Sequence, residues 1–188
     1  MDAFLTSVFT VALAEIGDKT QLLSLFLITR FNKPWSIIAG ILVATLLNHA
    51  ASAGAGVWLG QFLQSETGRW IIGGSFIAVG LWLLTPDKED APTSRWDGYG
   101  AFLVSSLLFF LAEIGDKTQI ATVLLGANFG APIIVTLGTT LGMLIANVPV
   151  VFLGAALMQH IPFRVARIVA AVAFIATGLY SLWSGSVL

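Results

Sequence analysis

The chain contains no cysteine, and only 10% of its 188 residues are charged. Without cysteine it can form neither disulfides nor thiolate metal sites. Its charged fraction is far below the roughly 25% of ordinary soluble domains, and its mean hydropathy is +0.91. No basic patch alternates with aromatic residues, so a nucleic-acid partner is not expected. The first residues also lack the basic segment and cleavage site of a signal peptide, and we interpret them as the start of a retained helix.

Long apolar runs take the place of a polar surface. Six runs approach or exceed the roughly 20 residues that a helix needs to cross a bilayer; they cover residues 3–29, 35–61, 68–85, 101–127, 132–158 and 164–186. Helices suit a lipid environment because they satisfy every backbone polar group internally. The sequence therefore predicts an all-α membrane protein with six transmembrane helices, and the lipid bilayer as its surroundings.

The second half of the chain repeats the first at an offset of 98 residues. The run L-A-E-I-G-D-K-T-Q occurs at residues 13–21 and 111–119, and the match continues without a gap through Gly40 and Gly138. This predicts a first three-helix repeat over residues 1–85, an acidic cytoplasmic linker over 86–97 and a second three-helix repeat over 98–188, together one membrane domain. Because three crossings is an odd number, the second repeat starts on the opposite side. Such inverted-topology repeats are typical of secondary transporters.

The basic residues predict the orientation of the chain. Outside the repeated motif, six of the seven lysines and arginines fall in loops on one predicted side, and only Arg69 falls on the other. Cytoplasmic loops carry an excess of basic residues. We therefore expect the first side to be cytoplasmic and both termini to lie outside the cytoplasm.

Each copy of the motif E-I-G-D-K-T-Q is predicted to lie near the middle of the first helix of its repeat. A charged side chain at that depth costs about 2.5 to 3.5 kcal/mol, so the motifs should face the protein interior. Glu15 and Asp18 are three residues apart and share one helix face. Glu113 and Asp116 repeat that face from the opposite direction. The glycine in each motif lets another backbone approach closely, or lets the helix open.

The donor atoms of the two motifs are oxygens, which suit hard cations such as calcium and manganese. Four carboxylates and two lysines leave a charge of minus two, which a divalent cation would neutralise. The predicted metal ligands are Glu15, Asp18, Glu113, Asp116, Gln21 and Gln119, and the four carboxylates are also the predicted proton carriers. The predicted supporting residues are Lys19, Thr20, Lys117, Thr118, Asn48, His49 and Asn147. For the last three, hydrogen bonding between helices is favoured over metal ligation.

Protons and a cation should compete for the clustered carboxylates. Burial and mutual repulsion both favour the protonated form of a carboxyl group, and a bound cation favours the ionised form. This competition is the simplest physical basis for cation/proton antiport. The alternative is that the motifs form a buried ion-pair network that only holds the two halves together.

Two E-x-G-D-K-T motifs, one in each half of a six-helix chain with an acidic linker, resemble the calcium/manganese cation-proton exchanger family of Golgi, chloroplast and bacterial manganese exporters. The resemblance covers nearly the whole chain. It implies that the two motifs carry the cation and the protons, and it implies export from the cytoplasm. The short N-terminus resembles that of the bacterial members, which implies an inner-membrane location.

Residues and resemblance together predict a secondary transporter that exports manganese, with calcium as a further candidate ion, in exchange for protons by alternating access. The ion is a substrate, and no cofactor is predicted. The alternatives are an exporter of a small organic solute such as an amino acid, which the acidic site disfavours, and a cation channel. An enzyme is not predicted, since the sequence contains no H-E-x-x-H motif and no nucleophile elbow. Ion selectivity, proton stoichiometry and oligomeric state, including a homo-oligomer, are left open.

Overall fold

The structure, a computed structural model, describes residues 3–63, 65–85, 98–154, 156 and 163–183. Its α-helices are α1 Ala3–Glu15, α2 Lys19–Phe31, α3 Pro34–Phe62, α4 Glu66–Leu83, α5 Ala101–Glu113, α6 Lys117–Phe129, α7 Pro132–Leu153 and α8 Phe163–Trp183. No strand occurs in the described ranges, so the all-α prediction is confirmed for them. The predicted acidic linker, residues 86–97, lies outside the described residues.

The helices differ from the six predicted spans at two equivalent places. The first predicted span is divided into α1 and α2, and the fourth into α5 and α6, so each piece has only 13 residues. Within the described residues, three helices are long and apolar enough to cross a membrane: Pro34–Phe62, Pro132–Leu153 and Arg164–Trp183. The arrangement of six spans in two inverted repeats therefore stays a prediction.

Polar and apolar side chains are distributed as expected for a protein surrounded by lipid. Large apolar side chains lie on the outside, including Ile133, which is 74% exposed, and Trp183, which is 91% exposed. Glu15 and Glu113 are instead completely buried. Ionisable side chains inside a membrane face the protein interior in this way, and they commonly have a functional role.

The two halves of the chain pack against each other through equivalent helices. Helix α1 packs on α7 and the equivalent α5 packs on α3, while α4 packs on α8. At Gly138 an added Cβ would lie 2.8 Å from the carbonyl oxygen of Phe4, and at Gly40 it would lie 2.8 Å from that of Phe102. These glycines let helix backbones approach closely, as small residues commonly do in membrane helices. The contacts hold α1 and α5, each of which ends at a motif glutamate, against the opposite half of the molecule.

Candidate metal centre

Each motif lies at a break between two helices. Helix α1 ends at Glu15 and α2 begins at Lys19, while α5 ends at Glu113 and α6 begins at Lys117. The sequence predicts the motif near the middle of a helix, with opening of that helix at the glycine as one of two possibilities; in the structure the helix is open. The cause is the motif glycine, which has a φ of +83° at Gly17 and +74° at Gly115. Glycine adopts this left-handed conformation readily, and a right-handed helix cannot continue through it.

The motif glutamines stabilise the two breaks. The Oε1 atom of Gln21 accepts a hydrogen bond of 2.9 Å from the backbone N–H of Gly17, and Gln119 accepts the equivalent bond of 2.7 Å from Gly115. Gln21 also donates through Nε2 to the carbonyl of Ala146 in α7, at 2.9 Å. Both glutamines were predicted as metal ligands. In this structure their Oε1 atoms serve the backbone, as in a capping box that satisfies N–H groups at a helix start.

The aspartates precede the second helix of each pair. Asp18 is the N-cap of α2 and Asp116 that of α6, and neither side chain makes the usual capping hydrogen bond. A carboxylate at this position is stabilised by the partial positive charge of the helix N-terminus. Because neither side chain caps its helix, the aspartate oxygens can take part in other contacts.

Three carboxylates from the two motifs converge. Glu15, Glu113 and Asp116 each offer one oxygen, and these oxygens all lie within 4.8 Å of one another. The two glutamates are fully buried and Asp116 is 4% exposed. Asp18, the fourth predicted carboxylate, is buried too but does not belong to this group. We call Glu15, Glu113 and Asp116 the carboxylate cluster.

Polar contacts within the cluster cross between the two halves. Thr20 donates a hydrogen bond of 2.5 Å to Oε2 of Glu15, and Thr118 from the other half donates to Oε1 of the same glutamate. Lys19 Nζ lies 3.0 Å from Oδ1 of Asp116. Three of the predicted supporting residues therefore contact the cluster directly: Lys19, Thr20 and Thr118.

Lys117, the repeat equivalent of Lys19, contacts residues at the end of α4. Its Nζ donates to the backbone carbonyl of Thr85 at 2.7 Å and lies 5.7 Å from the centre of the Trp82 ring. Both of these partners lie at the C-terminal end of α4 or just beyond it. The ammonium group of Lys117 thus lies close to the end of α4.

The predicted residues of α3 and α7 fall into two groups. Asn48 donates to the carbonyl of Phe110 in α5 at 3.0 Å, and Asn147 accepts from Ser24 in α2 at 2.9 Å. Both are hydrogen bonds between helices, the role favoured for them from the sequence. His49 is instead completely buried, with Nε2 3.9 Å from Oε2 of Glu113.

Sequence reasoning missed Ser24, whose hydroxyl connects α2 to Asn147. A signal for it exists in the repeat, since the equivalent residue Thr122 also carries a hydroxyl and both side chains are fully buried. The carbonyls of Ala146 and Thr85 were also missed. They carry no sequence signal, because every residue has a backbone carbonyl.

The family model described as Divalent cation/proton antiporter GDT1 matches residues 3–91 and 101–187 of the chain. The chain belongs to this antiporter family. A Vibrio cholerae protein named "Putative manganese exporter" is 48% identical over 180 residues, which are 95% of this chain and 90% of that protein. A GDT1-like protein of Synechocystis is 25% identical over 214 residues, covering 98% of each chain. No solved structure matches.

Membership of the antiporter family confirms the resemblance seen in the two motifs. Together with the apolar helices it identifies a multi-pass membrane protein of a transporter family whose substrates are divalent cations and protons. That the chain has no enzymatic activity stays a prediction, as do the assignments of individual ligands and the absence of a cofactor.

In this antiporter the carboxylate cluster has the charge that a divalent cation requires. Three ionised carboxylates and Lys19 sum to minus two. An uncompensated charge of this size is costly in a buried site, so the cluster must bind either protons or a cation. Carboxylate oxygens are ligands for hard divalent ions. The arrangement can therefore bind a divalent cation and protons in alternation at the same oxygens.

Proposed function

We propose that this protein exports manganese from the cytoplasm in exchange for protons, with calcium as a second candidate ion. The observation that carries the proposal is the buried carboxylate cluster, to which both halves of the chain contribute. The name of the Vibrio cholerae relative, a manganese exporter, supports manganese as the ion and export as the direction of transport. In this proposal the ion is a cargo that binds and leaves, not a resident cofactor.

Exchange would follow from the competition between protons and the ion. Protonation of Glu15, Glu113 or Asp116 removes a negative charge that the ion needs, so ion affinity should fall as the pH falls. The ion-loaded and the protonated cluster both reduce the buried net charge, and either can then face the opposite side of the membrane. A cluster that has bound neither the ion nor protons keeps its negative charge, and this charge makes the change to the opposite side least favourable.

Alternating access would use six spans arranged as two inverted repeats. The pairs α1 with α2 and α5 with α6 would then each form one interrupted crossing, with the cluster at the interruptions. Interrupted helices with binding sites at their ends are characteristic of secondary transporters. We further propose an inner-membrane location with both termini outside the cytoplasm, on the basis of the basic residues Arg30, Lys33, Arg164 and Arg167 on one predicted side.

The test is transport by the purified full-length protein in liposomes that contain a pH-sensitive dye and a manganese indicator. An imposed manganese gradient should move protons in the opposite direction, and a proton gradient should drive manganese uphill. Metal flux without proton movement would indicate a channel instead. Absence of metal flux, in vesicles shown to contain folded protein, would contradict the cation proposal, and a parallel calcium gradient measures the preference between the two ions.

Matched variants distinguish the cluster from the rest of the protein. Asp116→Asn should abolish exchange while the protein stays folded, because the amide cannot supply the ionised oxygen. Glu66→Gln is the control for removal of a carboxylate, since the Glu66 side chain is 80% exposed and pairs with Arg69 of its own helix at 3.8 Å. Normal exchange in Asp116→Asn would indicate that this carboxylate has a structural role only.

A further inference from the structure

His49 is a buried polar side chain without an evident structural partner. It lies in α3 and is completely buried, and neither Nδ1 nor Nε2 has a hydrogen-bond partner among the described residues. Most buried polar groups in proteins are hydrogen-bonded, and one that is not requires an explanation. A ring nitrogen that binds an ion would provide one.

His49 does not belong to the carboxylate cluster, but its position relative to one member, Glu113, fits a shared ion. The distance between Nε2 and Oε2 is 3.9 Å, which is too long for a hydrogen bond. Two ligands that bind one ion at about 2.0 to 2.6 Å each can be separated by up to roughly 4 to 5 Å. Neither carboxylate oxygen of Glu113 has a hydrogen-bond partner within the described part of the chain. The histidine nitrogen and the glutamate oxygen thus both lack a hydrogen-bond partner, and their spacing suits two ligands of one ion between them.

The repeat equivalent of His49 shows what a structural side chain does at this position. Asn147 accepts from Ser24 and donates to the carbonyl of Met143 at 3.2 Å, so both ends of its amide are hydrogen-bonded. His49 makes no such bonds in the described structure. Hydrogen bonding between helices, the role of Asn147, therefore does not explain why an imidazole occupies the equivalent position in α3.

We propose that His49 supplies a nitrogen ligand to the transported ion and that this ligand makes the protein prefer manganese to calcium. The inference rests on the proposed transport function and specifies its selectivity. Calcium takes oxygen ligands. Manganese is also well suited by oxygen ligands, but as a first-row transition ion it is in addition bound by sites that combine nitrogen and oxygen donors. A site built only from carboxylates would distinguish these two ions mainly by size.

Direct ligation can be tested on the ion complex itself. Pulsed electron paramagnetic resonance of manganese bound to the full-length protein detects the nuclear spin of a coordinated nitrogen. The chain has two histidines, His49 and His160. The nitrogen signal should be present in the wild type and in His160→Asn, and absent in His49→Asn. A wild-type complex without coordinated nitrogen, or a signal that persists in His49→Asn, would overturn the proposal. The wild-type measurement does not depend on the folding of any variant.

Selectivity is tested by transport of both ions in parallel. His49→Asn installs the residue of the other half, and manganese exchange should fall by about tenfold, the lower range for loss of one supporting metal contact, while calcium exchange should change little. Equal loss for both ions would make His49 a packing residue, and no loss for either would exclude it from the site. If the wild type itself exchanges no manganese, the proposed function fails instead, so the two failures are distinguishable.

Discussion

The two motifs have the same sequence, the same backbone conformation and different side-chain contacts. In both halves a glycine with positive φ interrupts the helix and a glutamine binds its backbone N–H. Yet Glu15 accepts hydrogen bonds from two threonines, whereas neither oxygen of Glu113 has such a partner among the described residues. Identical sequence thus determines the local structure, and the contacts across the interface between the halves determine the rest.

The lysines extend the comparison. Lys19 reaches Asp116 across the interface, while Lys117 reaches the carbonyl of Thr85. The clearer difference lies at the glutamates, since Glu15 accepts two hydroxyl groups and Glu113 accepts none among the described residues. If the protein works by alternating access, we expect the other state to exchange these contacts, so that Glu113 accepts the hydroxyl groups. Variants made in pairs, one in each half, test whether the difference between the halves is permanent or alternates.

The largest effect is expected for the glutamates. Glu15→Gln and Glu113→Gln should each reduce manganese exchange by at least about 100-fold, beyond the usual loss for a supporting contact, because each removes a charge from the cluster. The losses should be equal even though only Glu15 is hydrogen-bonded here. Proteoliposome exchange measures both, with Glu66→Gln as the control. A variant at Glu113 that keeps normal exchange would show that the two halves differ permanently.

The sequence predicted much of this centre and missed its geometry. It predicted that the two motifs are buried and that carboxylates from both come together, because charged residues within apolar runs have few acceptable positions. The metal and proton roles of Glu15, Glu113 and Asp116 stay predictions. The sequence did not predict the exclusion of Asp18 from the carboxylate cluster. That exclusion depends on how the halves pack, and a repeat with identical motifs contains no information that favours one copy.

The sequence placed the motif near the middle of a helix and left open whether its glycine opens that helix. A glycine in a helix is tolerated at a cost of about 1 kcal/mol, so its presence alone does not predict a break. The glutamine three residues after the aspartate stabilises the break by accepting a hydrogen bond from the glycine N–H. This role of the glutamine can be recognised only once the positions of the glycine N–H and the glutamine Oε1 are known.

The threonines should have the next largest effect. Thr20→Val and Thr118→Val remove a hydroxyl that donates to Glu15, and each should lower manganese affinity by about 10- to 100-fold, as loss of an outer contact typically does. Valine has nearly the same shape, so packing is preserved. Thr139→Val is the matched control, because its buried hydroxyl bonds only carbonyls of its own helix, those of Val135 and Thr136, among the contacts described. Titration of the purified protein with manganese measures the affinities.

Unequal losses would refine the comparison between the halves. If the two states exchange contacts, both threonines act in both states and their losses should be similar. A loss confined to Thr20 would mean that the hydrogen bond across the interface from Thr118 contributes little. A loss as large in Thr139→Val would show that any buried hydroxyl matters, which would contradict a specific role in orienting Glu15.

The glycines test whether the breaks are required. Gly17→Ala and Gly115→Ala place a Cβ at a positive φ, which should lower the free energy of unfolding by about 1 to 2 kcal/mol. Gly74→Ala is the control, since this glycine is within α4 and no heavy atom lies within 4 Å of the added Cβ. It should be neutral or stabilising by up to about 1 kcal/mol. Thermal unfolding in detergent measures all three, and equal midpoints would contradict the need for glycine at the breaks.

The lysines should give the smallest effect and the clearest distinction between the halves. Lys19→Met removes the ammonium group 3.0 Å from Asp116, which frees this carboxylate for the ion. Manganese affinity should therefore rise, by up to about fivefold if the pair contributes the roughly 1 kcal/mol of a partly exposed ion pair. The Lys19 side chain is 29% exposed, which supports a figure of this size.

Lys117→Met is the matched variant in the other half. Its ammonium group donates to the Thr85 carbonyl, whereas that of Lys19 lies 3.0 Å from a carboxylate of the cluster. Removal of Lys117 should therefore change manganese affinity less than Lys19→Met does if the protein binds the ion in the state described. Equal increases would mean that both lysines compete with the ion, as they would in a population divided between the two states. A decrease in Lys19→Met would mean that the ammonium group positions Asp116 for the ion, and the lysine would then support binding instead of opposing it.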